Sequence, residues 1–135
     1  MTLIVHPDVD QLAVTYFANT LAAQGHTQHV GKKVPAKNRP DRFMRVYSNG
    51  GPDESLIATR AQVVAQLYDI DGPRCAQTAN LVAALGKAAV GFLFDGYPYV
   101  ARAKKLGGPT DLDDPDVKTH VRYQVVLEWL VRVKH

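Results

Sequence analysis

Two hydrophobic periods divide this chain. Between residues 7 and 24, Val9, Leu12, Ala13, Tyr16, Phe17, Thr20 and Leu21 recur at i, i+3, i+4 and i+7. That spacing predicts a helix with one buried face. Pro7 suits its first turn, Asp8 and Asp10 complement the positive end of its dipole, and Gly25 ends it. At the other end of the chain, residues 119–134 alternate throughout. Val121, Tyr123, Val125, Leu127, Trp129, Val131 and Val133 share one face, and Arg122, Gln124, Glu128, Arg132 and Lys134 the other. This is the period of a long strand covered on one side.

The middle of the chain mixes the two periods. Residues 28–34 give a weak strand signal, and the prolines of VPAKNRP mark a loop. FMRVYS (43–48) reads as a strand and SNGGPDES (48–55) as a turn. In 56–70, Ile57, Thr59, Ala61, Val63, Ala65 and Leu67 line one face. Arg60, Gln62, Gln66 and Tyr68 line a semi-polar one, with Val64 the exception. Residues 71–93 predict a second helix with Asp71 as N-cap and a small-residue stripe through Ala79, Val82, Leu85, Ala89 and Phe92. Gly86 weakens the helical signal in its middle. FDGYP is a turn, and 99–106 a further strand. Both glycine pairs, Gly50-Gly51 and Gly107-Gly108, precede proline and read as turns. The order predicts one α+β domain over residues 1–135: a mostly antiparallel or mixed sheet with two helices packed on one side. Its long strands, with semi-polar faces and open edges, suit subunit pairing.

Composition narrows the function classes. An apolar fraction of 46% is that of a folded chain. No run of 18 apolar residues is present to span a membrane, and MTLIVHPDVDQ lacks the basic start of a secretory signal. The single cysteine, Cys75, excludes a disulfide framework within the chain. Sixteen Lys/Arg face thirteen Asp/Glu, but the charge is segregated. Lys32, Lys33, Lys37, Arg39, Arg42 and Arg45 crowd one segment with a single aspartate, and DLDDPD (111–116) carries four aspartates and no base. Such asymmetry suits surfaces that meet partners of opposite sign.

Candidate chemistry is sparse. His6, Asp8 and Asp10 lie close in sequence, but a helix start accounts for both aspartates without a metal. DLDDPD resembles a calcium loop in composition only, since the sixth-position glycine and terminal glutamate are missing. Cys75 has no neighbouring histidine or second cysteine, and the five histidines fit no metal-ligand spacing. Phosphate-loop, GxSxG and GxGxxG patterns are absent, and nothing in the pattern indicates an enzyme or a cofactor. The basic segment 31–45 is sufficient for weak, salt-dependent phosphate contact but lacks interleaved aromatics for base stacking.

Taken in order, Arg45, Val46, Tyr47, Gly50 and Gly51, then an alanine-rich helix, then Gly107, Gly108, Pro109, Leu112, Asp114, Pro115, Arg122 and Tyr123 form a recognisable series. Over about residues 5–133 the chain resembles the tail terminator proteins of long-tailed, siphovirus-type phages of actinobacterial hosts. It departs from them at Asn49, at Asp113 where proline is common, and at Val121 where proline often precedes the arginine. The resemblance implies a ring-forming subunit, hexameric, without catalysis or cofactor. The ring caps the tail tube, stops its polymerisation and presents the surface that joins the head. Implied partners are further copies of the chain, the major tail tube protein and a head-completion or connector protein, with genomic DNA passing unbound through the lumen. The implied location is the head-proximal end of the virion tail, and the host cytoplasm during assembly. Another head–tail connector, neck or tail completion protein, or a small nucleic-acid-binding module, are the alternatives. If the chain builds a ring, Arg42, Arg45, Arg102, Lys104 and Lys105 are the expected contacts for carboxylates of a neighbour or the tube. Asp111, Asp113, Asp114 and Asp116 are the expected carboxylates, facing a neighbour or the lumen.

Overall fold

The long alternating segment forms β8 (Val121–Arg132), an interior strand of the sheet. In the computed structural model, which describes residues 3–134, the order is α1 (Val9–Ala23), β1 (His29–Gly31), β2 (Arg42–Gly50), β3 (Asp53–Ser55), β4 (Ala58–Asp69), α2 (Gly72–Lys87), β5 (Leu93–Phe94), β6 (Tyr97–Pro98), β7 (Val100–Asp111) and β8. Among the described residues, β1-β2-β4-β8-β7 form one sheet, with β3 pairing β4 beyond the end of β2, while β5 and β6 pair separately. Only β1 and β2 run parallel; every other pairing in the sheet is antiparallel. The fold is α+β, with both helices on one side of a mixed, mostly antiparallel sheet.

The core lies between sheet and helices. Leu12, Tyr16, Phe17 and Leu21 of α1 and Ala79 and Val82 of α2 meet Met44, Val46, Val63, Leu67, Val125, Leu127, Trp129 and Val131. Trp129 sits at its centre, fully buried, with Tyr16 edge-on at 5.6 Å and Phe17 stacked at 5.9 Å. Its Nε1–H donates to the Gly86 carbonyl oxygen at 2.9 Å. Gly86 is therefore a contact rather than a defect: a Cβ there would overlap the Leu127 side chain. The absent side chain lets α2 settle directly on β8, which propensity alone does not reveal.

Three sequence expectations change. The second helix stops at Lys87, where Ala88 caps it, and residues beyond turn into the β5–β6 hairpin. The Gly107-Gly108-Pro109 run does not end a strand. It continues β7, whose pairing with β8 slips at three places between Val100 and Thr110. Those bulges absorb the glycines and the cis Gly108–Pro109 peptide. Gly108 has φ +86°, and a Cβ on it would overlap the Gln124 carbonyl oxygen. Finally, the semi-polar face of β4 is covered over its C-terminal half, while Arg60 near its start stays exposed. Val64, Gln66 and Tyr68 are buried, whereas Ile57, expected inside, is 43% exposed. Phe43 stacks on Tyr68 at 4.6 Å, and Val117 from the β7–β8 loop closes a small second core there.

Candidate functional site

The two charge clusters singled out in the sequence divide between the faces of the sheet: Arg42 turns toward α2 and Arg45 toward the helix-free face, while the aspartates lie at the end of β7 and in the loop after it. Each residue's role follows from what it touches inside the chain.

Arg42 begins β2 and faces inward. Its Nε donates to Gln28 Oε1 at 3.1 Å and its Nη2 to Thr78 Oγ1 at 3.0 Å. It also lies 4.0 Å from Asp69, whose side chain is 2% exposed. Asp69 accepts from Arg74 through Nε at 2.8 Å and Nη2 at 2.6 Å, and from the Asp71 backbone N–H at 3.0 Å. Burial pushes the Asp69 carboxyl up, but the Arg74 bonds, the Asp71 N–H and the Arg42 charge outweigh it and hold the group below its ordinary range. Arg42 is thus one wall of a polar cluster joining the start of β2, the end of β4 and α2.

Arg45 lies on the helix-free face and is also engaged. Its Nε donates to the Lys32 carbonyl at 3.2 Å, its Nη1 to Gln66 Oε1 at 3.3 Å, and its guanidinium lies 4.3 Å from the centre of the Tyr47 ring. Gln66 in turn donates to Gln124 Oε1 at 2.9 Å. This row of polar side chains crosses three strands and explains how Gln66 is buried without an unmet hydrogen bond.

The aspartates divide into two kinds. Asp114 accepts from Tyr68 Oη at 2.7 Å and from the Asp116 backbone N–H at 3.0 Å, with Arg122 Nη1 at 3.7 Å. Burial raises its carboxyl, but these donors and charges prevail and the net shift is downward. Arg122 also pins the loop backbone, its Nε donating to the Leu112 carbonyl at 2.8 Å and its Nη2 to the Asp113 carbonyl at 3.1 Å. His120 Nε2 donates to the Pro40 carbonyl at 2.9 Å, tying the loop to the basic segment. The side chains of Asp111, Asp113 and Asp116 are exposed and, among the described residues, have no hydrogen-bonding or ion-pairing partner.

At the opposite end of β7, Lys104 pairs with Glu128 at 3.5 Å, while Arg102 and Lys105 have no carboxylate partner among the described residues. Arg102 and Lys104 line a shallow groove of about 580 Å³ with Arg60, Glu54, Glu128 and Leu130. Arg60 and Glu54 pair across it at 3.1 Å.

The other candidates resolve locally. Asp8 caps α1, accepting from the Gln11 N–H at 3.1 Å. Asp10 does something the sequence did not signal. It accepts the Ser48 backbone N–H and pairs with Lys32 at 2.9 Å, covering the margin of β2 beyond the short β1. His6 contacts Thr59 instead of either aspartate. No group of three metal-ligating side chains forms among the described residues. Cys75 is buried, donates to the Leu67 carbonyl, and has its thiol pushed up to about 12, chiefly by burial. No described helix is long and apolar enough to cross a membrane. A scan against protein-family models returns no match for this chain, and no curated protein matches it significantly.

Proposed function

We propose that this chain is a structural subunit of a phage tail: a tail terminator that assembles as a hexameric ring, caps the tube and offers the head-joining surface. The observation that carries the reading is the ordered motif series ending Gly107-Gly108-Pro109…Arg122-Tyr123. Its members have matching structural work to do: Gly51 and Gly108 lie where a Cβ would overlap the backbone of the adjoining strand, and Arg122 fastens the intervening loop. An open sheet face with charges unpaired among the described residues at both ends of one edge strand is the kind of surface a ring subunit turns toward its neighbours.

The nucleic-acid-binding alternative draws less support. Of the basic segment, Lys32 pairs with Asp10, Arg39 donates to the Pro35 carbonyl, and Arg42 and Arg45 are bonded within the subunit. Among the described residues only Lys32 and Arg42 of this segment lie beside carboxylates, so Lys33, Lys37, Arg39 and Arg45 keep their charge, fewer than the roughly six to ten phosphate contacts of a strong salt-dependent binder. The test is native mass measurement of the chain alone and mixed with tail tube protein. A ring on the tube end, with tube growth arrested, is expected. A chain that stays monomeric and leaves tube length unchanged refutes the reading. A ring that binds heads but ignores tubes assigns it to another head–tail connector.

A further inference from the structure

We propose that copies of this chain join head to tail through the two ends of β7. The Asp111–Asp116 loop of one copy docks against the Arg102–Lys105 end of the next. The inference rests on the ring reading for its partner, a second copy, and names the contact that reading leaves open.

Four observations converge on it. First, internal bonding removes Arg42, Arg45 and Asp114 from the candidates. Arg102 and Lys105 at one end of the strand, and Asp111, Asp113 and Asp116 at the other, lack partners among the described residues. Second, the β8 register sets Arg102 opposite Leu130, Lys105 opposite Leu127 and Asp111 opposite Tyr123, so the two groups lie roughly 13–23 Å apart at the strand rise, beyond the screening length of about 8 Å at physiological salt. Third, the surfaces match in apolar character. Leu112, 37% exposed, stands between Asp111 and Asp113, while the groove offers Leu130 and the 54%-exposed Val90 beside Arg102. The groove itself carries three cations, Arg60, Arg102 and Lys104, against two carboxylates, Glu54 and Glu128. Fourth, the loop is pre-ordered by Arg122 and by Asp114, so little conformational freedom is lost when it docks.

The same charges would also align in a two-fold pairing of two β7 edges. Such a pairing needs a continuous run of outward backbone donors and acceptors. Three register slips and Pro109, which has no N–H, interrupt that run. A loop seated in a groove needs no ladder, and its two unlike surfaces leave each copy able to bind a neighbour on either side.

Paired cysteines separate these arrangements. Val90→Cys and Leu112→Cys, exposed and uncharged positions on the two surfaces, are introduced together in the full chain so that every charge is kept, and the protein is oxidised at high concentration. Cys75 is buried with a raised thiol pKa and stays out of the reaction. The expected product is a ladder of covalently linked chains on a reducing-agent-free denaturing gel. Capture is expected to fall at least tenfold in about 1 M salt, which shortens electrostatic reach to roughly 3 Å. Crosslinked dimers alone would establish the two-fold pairing and overturn the proposal. Absence of crosslinks also overturns it. If native mass then still shows rings on tail tubes, the ring reading survives and only this contact fails. Charge exchange is a second readout. Asp113→Lys/Asp116→Lys and Arg102→Glu/Lys105→Glu chains each lose self-association, and mixing them restores it. Loss without restoration on mixing counts against the contact.

Discussion

Gly86→Ala tests the packing of α2 on β8 most directly. On a solvated helix this change stabilises by about 1 kcal/mol, because glycine is the poorer helix former. Here the new methyl overlaps the Leu127 side chain, which is itself fully buried. Leu127 must leave its rotamer or the helix must lift, at about 1–3 kcal/mol for overpacking. Lifting also lengthens the bond from Trp129 Nε1 to the Gly86 carbonyl, worth about 1 kcal/mol. The sum favours a net loss of about 1–3 kcal/mol, opposite in sign to the propensity effect. Urea unfolding followed by fluorescence suits the measurement, since Trp129 is the chain's single tryptophan and lies at the contact. At a slope of about 2 kcal/mol per molar, the midpoint falls by about 0.5–1.5 M with the slope unchanged. Leu127→Val, which costs about 1 kcal/mol alone by removing a methylene, should be much less harmful in the Gly86→Ala background. A Gly86→Ala protein more stable than the parent, or strictly additive effects in the double variant, would falsify the close-contact account.

Three further outcomes follow from the polar clusters. Asp69 has a folded-state pKa below its unfolded value, so its contribution is fully present above the unfolded pKa of about 4 and is lost as pH falls through the folded value. Acid titration of stability should therefore be shallower below pH 4 in Asp69→Asn, which should also lose about 2–3 kcal/mol at neutral pH through its weakened bonds to Arg74; an unchanged acid profile would refute this. Cys75 should resist alkylation at pH 8 in the folded protein and react at the rate of a free thiol in denaturant, and rapid labelling without unfolding would contradict its burial. Arg122→Ala should release the loop, seen as faster amide exchange at Leu112, Asp116 and Val117, while exchange in the β4 core stays slow; equal protection in both proteins would show that the guanidinium does not hold the loop.

What the sequence disclosed depends on where each residue's partners lie. β8 alternates because one face meets helices along its whole length, so its inward residues were legible from period alone. The caps Asp8 and Asp71 act on N–H groups three residues away and were equally readable. The helix-free face of β4 was not. Its polar residues are covered by groups 21 to 58 positions distant, among them Arg45, Gln124 and Asp114, and no periodicity encodes that. The same distance effect divides the candidate site. Arg42 and Asp114 look like their neighbours in sequence, but Thr78 and Tyr68 draw them inward. Gly107-Gly108-Pro109 misled for another reason. Turn chemistry and bulge chemistry use the same residues, and only the partner strand decides between them.

The division among the aspartates also bears on how an edge strand can be both protected and adhesive. β7 discourages indiscriminate pairing with lysines, bulges and a proline. A partner that relied on backbone hydrogen bonds would meet a broken ladder. A partner that relied on side chains would find, at one end, cations without a carboxylate partner among the described residues and, past the bulges, carboxylates without a cation at the other. The features that blunt strand addition therefore leave the charge pattern as the remaining basis for recognition. Asp114 and Arg122 contribute by being occupied: bonded to each other's surroundings, they fix the loop that presents Asp111, Asp113 and Asp116. Removing a free aspartate should weaken association without touching stability, whereas removing Asp114 should disturb both, because Tyr68 Oη and the Asp116 N–H lose their acceptor. Paired thermal melts and association constants for Asp113→Ala and Asp114→Ala separate the two roles, and equal effects of the two substitutions on both measurements would dissolve the distinction.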